Sequence, residues 1–228
     1  MWWQVLALAA TAVSVSGHGR VLEPPGRGTM WRFGFSTQPN YDDDGLNCGG
    51  FYHQYSVNGG KCGICGDPYD MESPRTHELG GRYGQGTIVA EYEAGQIFST
   101  TVEITAHHKG YWIFKICPDP YSIDQDCFDA NPIELEEGGT QYYPPNGGKF
   151  NVNYRLPSNL ICDHCVLQWR YVAGNNWGDC KNGTQGLGCG DQENFLACSD
   201  ISIKRSSYIP VESIPIPLDF DYEGKDNE

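Results

Sequence analysis

The chain has 228 residues with ten cysteines, 29 glycines, 14 prolines and a formal net charge of −14. That acidity excludes nucleic acid and anionic membrane as expected partners and remains compatible with a neutral polymer. The length suits one domain with a real hydrophobic core.

Residues 1–17 read as a secretory signal: Val5 to Ala10 and Val13 form a short apolar run, and Val15-Ser16-Gly17 forms a small-residue cleavage site. The run is too short to span a bilayer, and no later stretch approaches about twenty apolar residues. A secreted, extracellular protein is therefore expected. Cleavage after Gly17 would expose the α-amine of His18, and an amine with its own imidazole can chelate one metal ion. A histidine inside a chain cannot offer that pair.

The first eighty residues of the mature chain are rich in glycine, tyrosine and cysteine and show little periodicity. They read as long loops pinned by disulfides, not as a second domain. Cys48, Cys62, Cys65, Cys117, Cys127, Cys162, Cys165, Cys180, Cys189 and Cys198 are even in number. In an oxidising compartment they should form five disulfides, and the sequence does not give the pairing. The Cys-x-x-Cys pairs 62–65 and 162–165 would suggest zinc in a cytosolic protein. After a signal sequence, disulfides are the better reading.

Strand patterns follow. Phe98 to Thr105 alternates, with Val102, Ile104 and Ala106 on one face. Tyr111 to Cys117 is rich in aromatic and β-branched residues, and Lys109-Gly110 between these runs suggests a hairpin end. Phe150–Leu156 and Cys165–Val172 alternate in turn, and 200–204 is a short last strand. Helix should be minor. The pattern predicts an all-β protein, an immunoglobulin- or fibronectin-III-like β-sandwich with long loops. Asn182-Gly183-Thr184 is a glycosylation sequon that places Asn182 at the surface if used. From residue 207 the chain turns Pro-rich and acidic, which predicts a disordered tail over 207–228. Six acids and one lysine give that tail −5, and residues 1–17 carry no charged side chain, so the body, 18–206, holds −9.

His18 needs a partner from His53, His77, His107, His108 or His164. Strand parity selects His108, which continues the inward row Val102, Ile104, Ala106, whereas His107 should face outward. A histidine pair in a strand is commonly surface decoration, so parity alone is a modest argument. Two imidazoles and an amine supply three nitrogen donors, a set that suits copper. The amine titrates near about pH 8, so copper displaces its proton readily at neutral pH.

Joined in order, several segments resemble the lytic polysaccharide monooxygenases, specifically auxiliary activity family fifteen. They are 18–25 (HGRVLEPP), 30–32 (MWR), 46–50 (LNCGG), 58–67 (NGGKCGICGD), 105–110 (TAHHKG), 165–171 (CVLQWRY), 174–178 (GNNWG) and 188–201 (GCGDQENFLACSDI). The resemblance implies a β-sandwich whose flat face presents one copper ion, Cu(II) or Cu(I), in a histidine brace. His18 would supply amine and ring nitrogen, and His108 the third nitrogen. Ala106 would crowd one axial side of the metal and Phe195 would occupy the other, where many relatives have tyrosine. Gln168 would be a nearby polar donor. Trp31 and Tyr111 are candidates for stacking on sugar rings.

The implied chemistry is oxidative cleavage of chitin or cellulose at C1 or C4. The co-substrate is hydrogen peroxide or dioxygen, with an external electron donor, and a monomer is expected. A non-catalytic chitin-, cellulose- or copper-binding module on the same fold is the alternative, and a disulfide-stapled matrix protein is a third. The set His18, Ala106, His108 and Phe195 favours the enzyme.

Overall fold

The computed structural model describes residues 18–206. The expected signal, 1–17, and the expected tail, 207–228, lie outside them. Ten strands run in chain order: β1 (His18–Glu23), β2 (Ala90–Glu93), β3 (Ile97–Ala106), β4 (Tyr111–Cys117), β5 (Glu134–Leu135), β6 (Gly148–Arg155), β7 (Cys162–Val172), β8 (Trp177–Asp179), β9 (Gln185–Leu187) and β10 (Asn194–Lys204). The one α-helix among the described residues, α1 (Gln125–Asp129), starts at Asp124, whose carboxylate accepts from the backbone N–H of Cys127.

Two four-stranded sheets carry the fold, one ordered β1-β3-β6-β5 and the other β2-β10-β7-β4. Their facing rows make the core: Val21, Phe98, Val102 and Ile104 from the first sheet, and Trp112, Phe114, Leu167, Trp169, Tyr171, Phe195 and Ile201 from the second. This is the all-β sandwich that the alternating runs predict. The inward row of β3 is buried as parity requires, at Phe98, Thr100, Val102 and Ile104.

Two expectations are corrected. Lys109-Gly110 is not a hairpin end, because β3 and β4 lie in different sheets. The chain crosses there from one layer to the other through two left-handed residues, Lys109 at φ 57° and Gly110 at φ 73°. A Cβ on Gly110 would stand 2.0 Å from the Val172 carbonyl oxygen, so only glycine fits. The last strand is also eleven residues long, not five. Its outer face is covered by a second apolar cluster of Cys65, Cys117, Phe128, Val166 and Cys198. A strand buried on both faces does not alternate, which hides its start.

All ten cysteines are paired: 48–62, 65–198, 117–127, 162–165 and 180–189. The Cys65–Cys198 bridge ties the N-terminal loops to β10. A buried ion pair does the same. Arg27 donates to both carboxylate oxygens of Asp200 at 2.6 and 2.7 Å and to the His77 carbonyl at 2.9 Å. His164 lies 2.7 Å from the same carboxylate. Arg27 and Asp200 are 2% and 1% exposed. Arg27→Ala should therefore cost about 3–5 kcal/mol in chemical denaturation, because it strands a buried carboxylate. A loss below about 1 kcal/mol would contradict that role.

Candidate active site

The site forms where β1 begins and β3 ends. In the antiparallel β1–β3 pair, His18 stands opposite Ala106, two residues before His108. Arg20 bridges Asp43 and Glu103 at 2.8 and 2.7 Å. The Gly19 N–H donates to the Asp44 carbonyl at 3.0 Å, and the Thr105 hydroxyl donates to the Asp44 carboxylate at 2.7 Å. The loop at 43–44 thus pins the start of β1 to the end of β3. Gly19 is required by contact: a Cβ there would meet Trp169 at 2.9 Å and Ile104 at 3.0 Å. Without a side chain, β1 settles onto the core and carries His18 with it.

Behind His18 lies Phe195, fully buried, with ring centroids 6.2 Å apart. Tyr171 packs next, 5.9 Å from Phe195. The Tyr171 hydroxyl accepts the backbone N–H of His108 at 3.1 Å and donates to the Lys109 carbonyl. This one side chain holds the 108–109 crossover against β7. His108 is 8% exposed. Burial is the largest influence on its ring and lowers its pKa. The Glu193 carboxylate pulls the other way, and charge on His18 and His107 lowers it further. The ring is therefore neutral at neutral pH, as a metal ligand must be. Its neighbour His107 points elsewhere and donates to the Pro144 carbonyl at 3.0 Å.

Among the described residues, no cluster of three His, Cys, Asp or Glu side chains could hold a metal. A metal between His18 and His108 would therefore need a donor other than such a side chain, and the main-chain nitrogen of His18 is one. The remaining histidines serve structure: His53 lies 2.8 Å from Asp70, His77 lies 2.8 Å from Asp67, and His164 contacts Asp200.

Gln168 does not join this group. It is fully buried on the opposite face of β7 from Leu167, Trp169 and Tyr171. It donates to the Ile64 carbonyl at 2.7 Å and exchanges hydrogen bonds with Gln125. None of these bonds reaches His18 or His108. Two residues absent from the sequence-based candidates stand closer. Glu193 is buried, accepts from Asn47 at 3.0 Å and acts electrostatically on His108. It precedes Phe195 by two residues, just ahead of β10, in a polar run that carries no signal of its own. Asn175 reaches the His108 ring, 2.7 Å from Nδ1.

Trp31 and Tyr111 each back a more exposed tyrosine. Trp31 donates to the Asn40 carbonyl at 3.0 Å and packs edge-on against Tyr41, which is 82% exposed. Tyr111 lies 5.5 Å from Tyr143, which is 62% exposed. A third exposed aromatic, Trp177, follows Asn175 by two residues and pairs with Leu187 across the β8–β9 hairpin. The Cys180–Cys189 bridge closes that hairpin. Asn182 is exposed at its turn.

A family model described as lytic polysaccharide mono-oxygenase, cellulose-degrading, matches residues 18–201. The lytic polysaccharide monooxygenase AA15 from Thermobia domestica, solved in the Cu(I) state, is 46% identical with a TM-score of 0.79. The match covers 82% of this chain and 98% of that one. The chain belongs to the lytic polysaccharide monooxygenases, auxiliary activity family fifteen. A chitin-binding domain from Burkholderia pseudomallei is 13% identical with a TM-score of 0.45, covering 83% of this chain and 100% of that one, and is too distant to carry an argument. No curated protein matches significantly. Within this family member, three of the segments quoted for the resemblance meet at the β1–β3 end: 18–25 supplies His18, 105–110 supplies Ala106 and His108, and 188–201 supplies Glu193 and Phe195.

Proposed function

We propose that the mature chain is a secreted, copper-dependent monooxygenase that oxidatively cleaves a β-1,4-linked polysaccharide, chitin or cellulose, at a brace of His18 and His108. The observation that carries this reading is the register that sets His18 opposite Ala106, two residues before the buried His108. The donor set fits copper: two imidazoles, plus the amine that cleavage after Gly17 would create. When bound, copper supplies the redox step, taking an electron from an external donor and activating dioxygen or hydrogen peroxide.

The chain's own residues fix where that step occurs. Gly19 and the 43–44 loop hold His18 down, and the Tyr171 hydroxyl holds His108 in. Phe195 packs behind His18 with a ring that carries no donor oxygen, so its side chain would supply no ligand to the site. Ala106 keeps the facing side chain small. Glu193 adds a buried negative charge that favours a cation beside His108.

Tyr41, Tyr143 and Trp177 are exposed aromatics close in sequence to the 43–44 loop, to Pro144 that His107 contacts and to Asn175, and are the candidates for stacking on sugar rings. Trp177→Ala should weaken adsorption to the insoluble polysaccharide by about three- to tenfold, with copper affinity unchanged. Undiminished adsorption would remove Trp177 from the substrate surface. The function itself is tested by incubating copper-loaded mature protein with a reductant and each polysaccharide. Mass spectrometry should find oligosaccharides oxidised at C1 or C4. Unmodified polymer under all conditions would refute the enzyme and leave a binding module.

A further inference from the structure

Asn175 is half-buried beside His108, with its carboxamide oxygen fully covered, and has no task in the chemistry described so far. Its backbone is set by the packing of two turns. The Gly174 N–H donates to the His108 carbonyl at 2.8 Å, and the Asn176 N–H donates to Gln192 Oε1 at 3.0 Å. A Cβ on Gly174 would stand 2.9 Å from the Gly110 nitrogen, so the segment after β7 lies directly against the 108–110 crossover.

The carboxamide lies 2.7 Å from Nδ1 of His108. With its nitrogen turned to the ring, its oxygen is buried without a hydrogen-bond partner. A carboxamide's nitrogen and oxygen are nearly identical in shape, and hydrogen bonding decides between the two orientations. An NH2 group donating to Nδ1 would force the ring proton onto Nε2. Nδ1 is already covered by Asn175, so Nε2 is the nitrogen available to a metal, and a proton there blocks it. Turning the oxygen to the ring gives that oxygen a donor, keeps the proton on Nδ1 and leaves the Nε2 lone pair for the metal.

We propose that Asn175 is a positioning residue: its carboxamide oxygen accepts from Nδ1–H of His108 and so selects the tautomer that presents Nε2 to copper. The proposal rests on the reading of His18 and His108 as copper ligands.

Two variants separate a hydrogen-bond acceptor from mere packing. Asn175→Asp keeps an acceptor and cannot donate, whereas Asn175→Leu does neither. Long-range 1H–15N NMR of the metal-free mature protein at neutral pH reads the His108 tautomer. Wild type and Asn175→Asp should carry the proton on Nδ1, and Asn175→Leu should lose that preference. Copper affinity, measured by chelator competition, should fall by roughly ten- to a hundredfold in Asn175→Leu and be kept in Asn175→Asp. Thermal unfolding of both variants checks that the fold is retained, and the wild-type tautomer decides the question even if Asn175→Leu fails to fold.

A wild-type ring protonated on Nε2 would overturn the proposal. So would an Asn175→Asp variant as weak for copper as Asn175→Leu, or unchanged affinity in Asn175→Leu. A wild type with the Nδ1 proton that binds no copper would support the tautomer assignment and refute the copper reading.

Discussion

Adding one residue ahead of His18 in the mature protein should lower copper affinity by about a hundredfold or more, because loss of a hydrogen-bond partner outside the ligand shell already costs ten- to a hundredfold and this removes a direct donor. The extension converts a basic amine into an amide nitrogen, whose lone pair is delocalised and which must lose its proton before it can bind a metal. The two imidazoles are untouched. Gly19 is anchored through its N–H to Asp44, and Arg20 is anchored to Asp43 and Glu103. The extra residue should therefore leave β1 in register with β3, so the change isolates the amine. A chelator-competition titration gives the ratio directly. Equal affinity in the two forms would show that the chain start takes no part in binding.

Replacing His108 by alanine should abolish oxidised products and cut copper affinity by a similar factor, about a hundredfold. Replacing the adjacent His107 should leave both within a few-fold. The difference comes from the direction of two consecutive side chains. His108 is buried, senses the charge of His18 and carries Asn175 on Nδ1. His107 spends its ring nitrogen on the Pro144 carbonyl, a bond worth about 1 kcal/mol of stability. Product analysis of the two single variants, side by side, is sufficient. Loss of activity in His107→Ala with activity kept in His108→Ala would reverse the assignment.

His108 was legible because β3 is buried on one face only, so parity counted from Val102 selects it. Phe195 and Ala106 came through the family resemblance, and the structure places both against His18. The start of β10 was not legible, because Asn194 to Ile203 are buried on both faces and show no alternation. Lys109-Gly110 looked like a hairpin end because a left-handed pair serves a crossover between sheets as well as a tight turn. Glu193 sits in a polar run, Gly190 to Asn194, where no periodicity marks it. Asn175 acts through a hydrogen bond to a residue 67 positions away, and no local pattern encodes such a partner. Gln168 was placed by resemblance near the metal, while its strand parity already turned it away from the core row that leads to Phe195. The structure follows the parity.

The central claim is that one copper ion is held by the α-amine of His18 and by two imidazole nitrogens, one from His18 and one from His108. Pulsed electron paramagnetic resonance of the Cu(II)-loaded mature protein, prepared with 15N in the histidine rings only, counts these donors by type. Two directly bound nitrogens should show 15N couplings and one should retain a 14N coupling, and the single-residue extension should remove the 14N signal alone. Directly bound nitrogens that all carry the ring label, or a 14N signal that survives the extension, would contradict the brace.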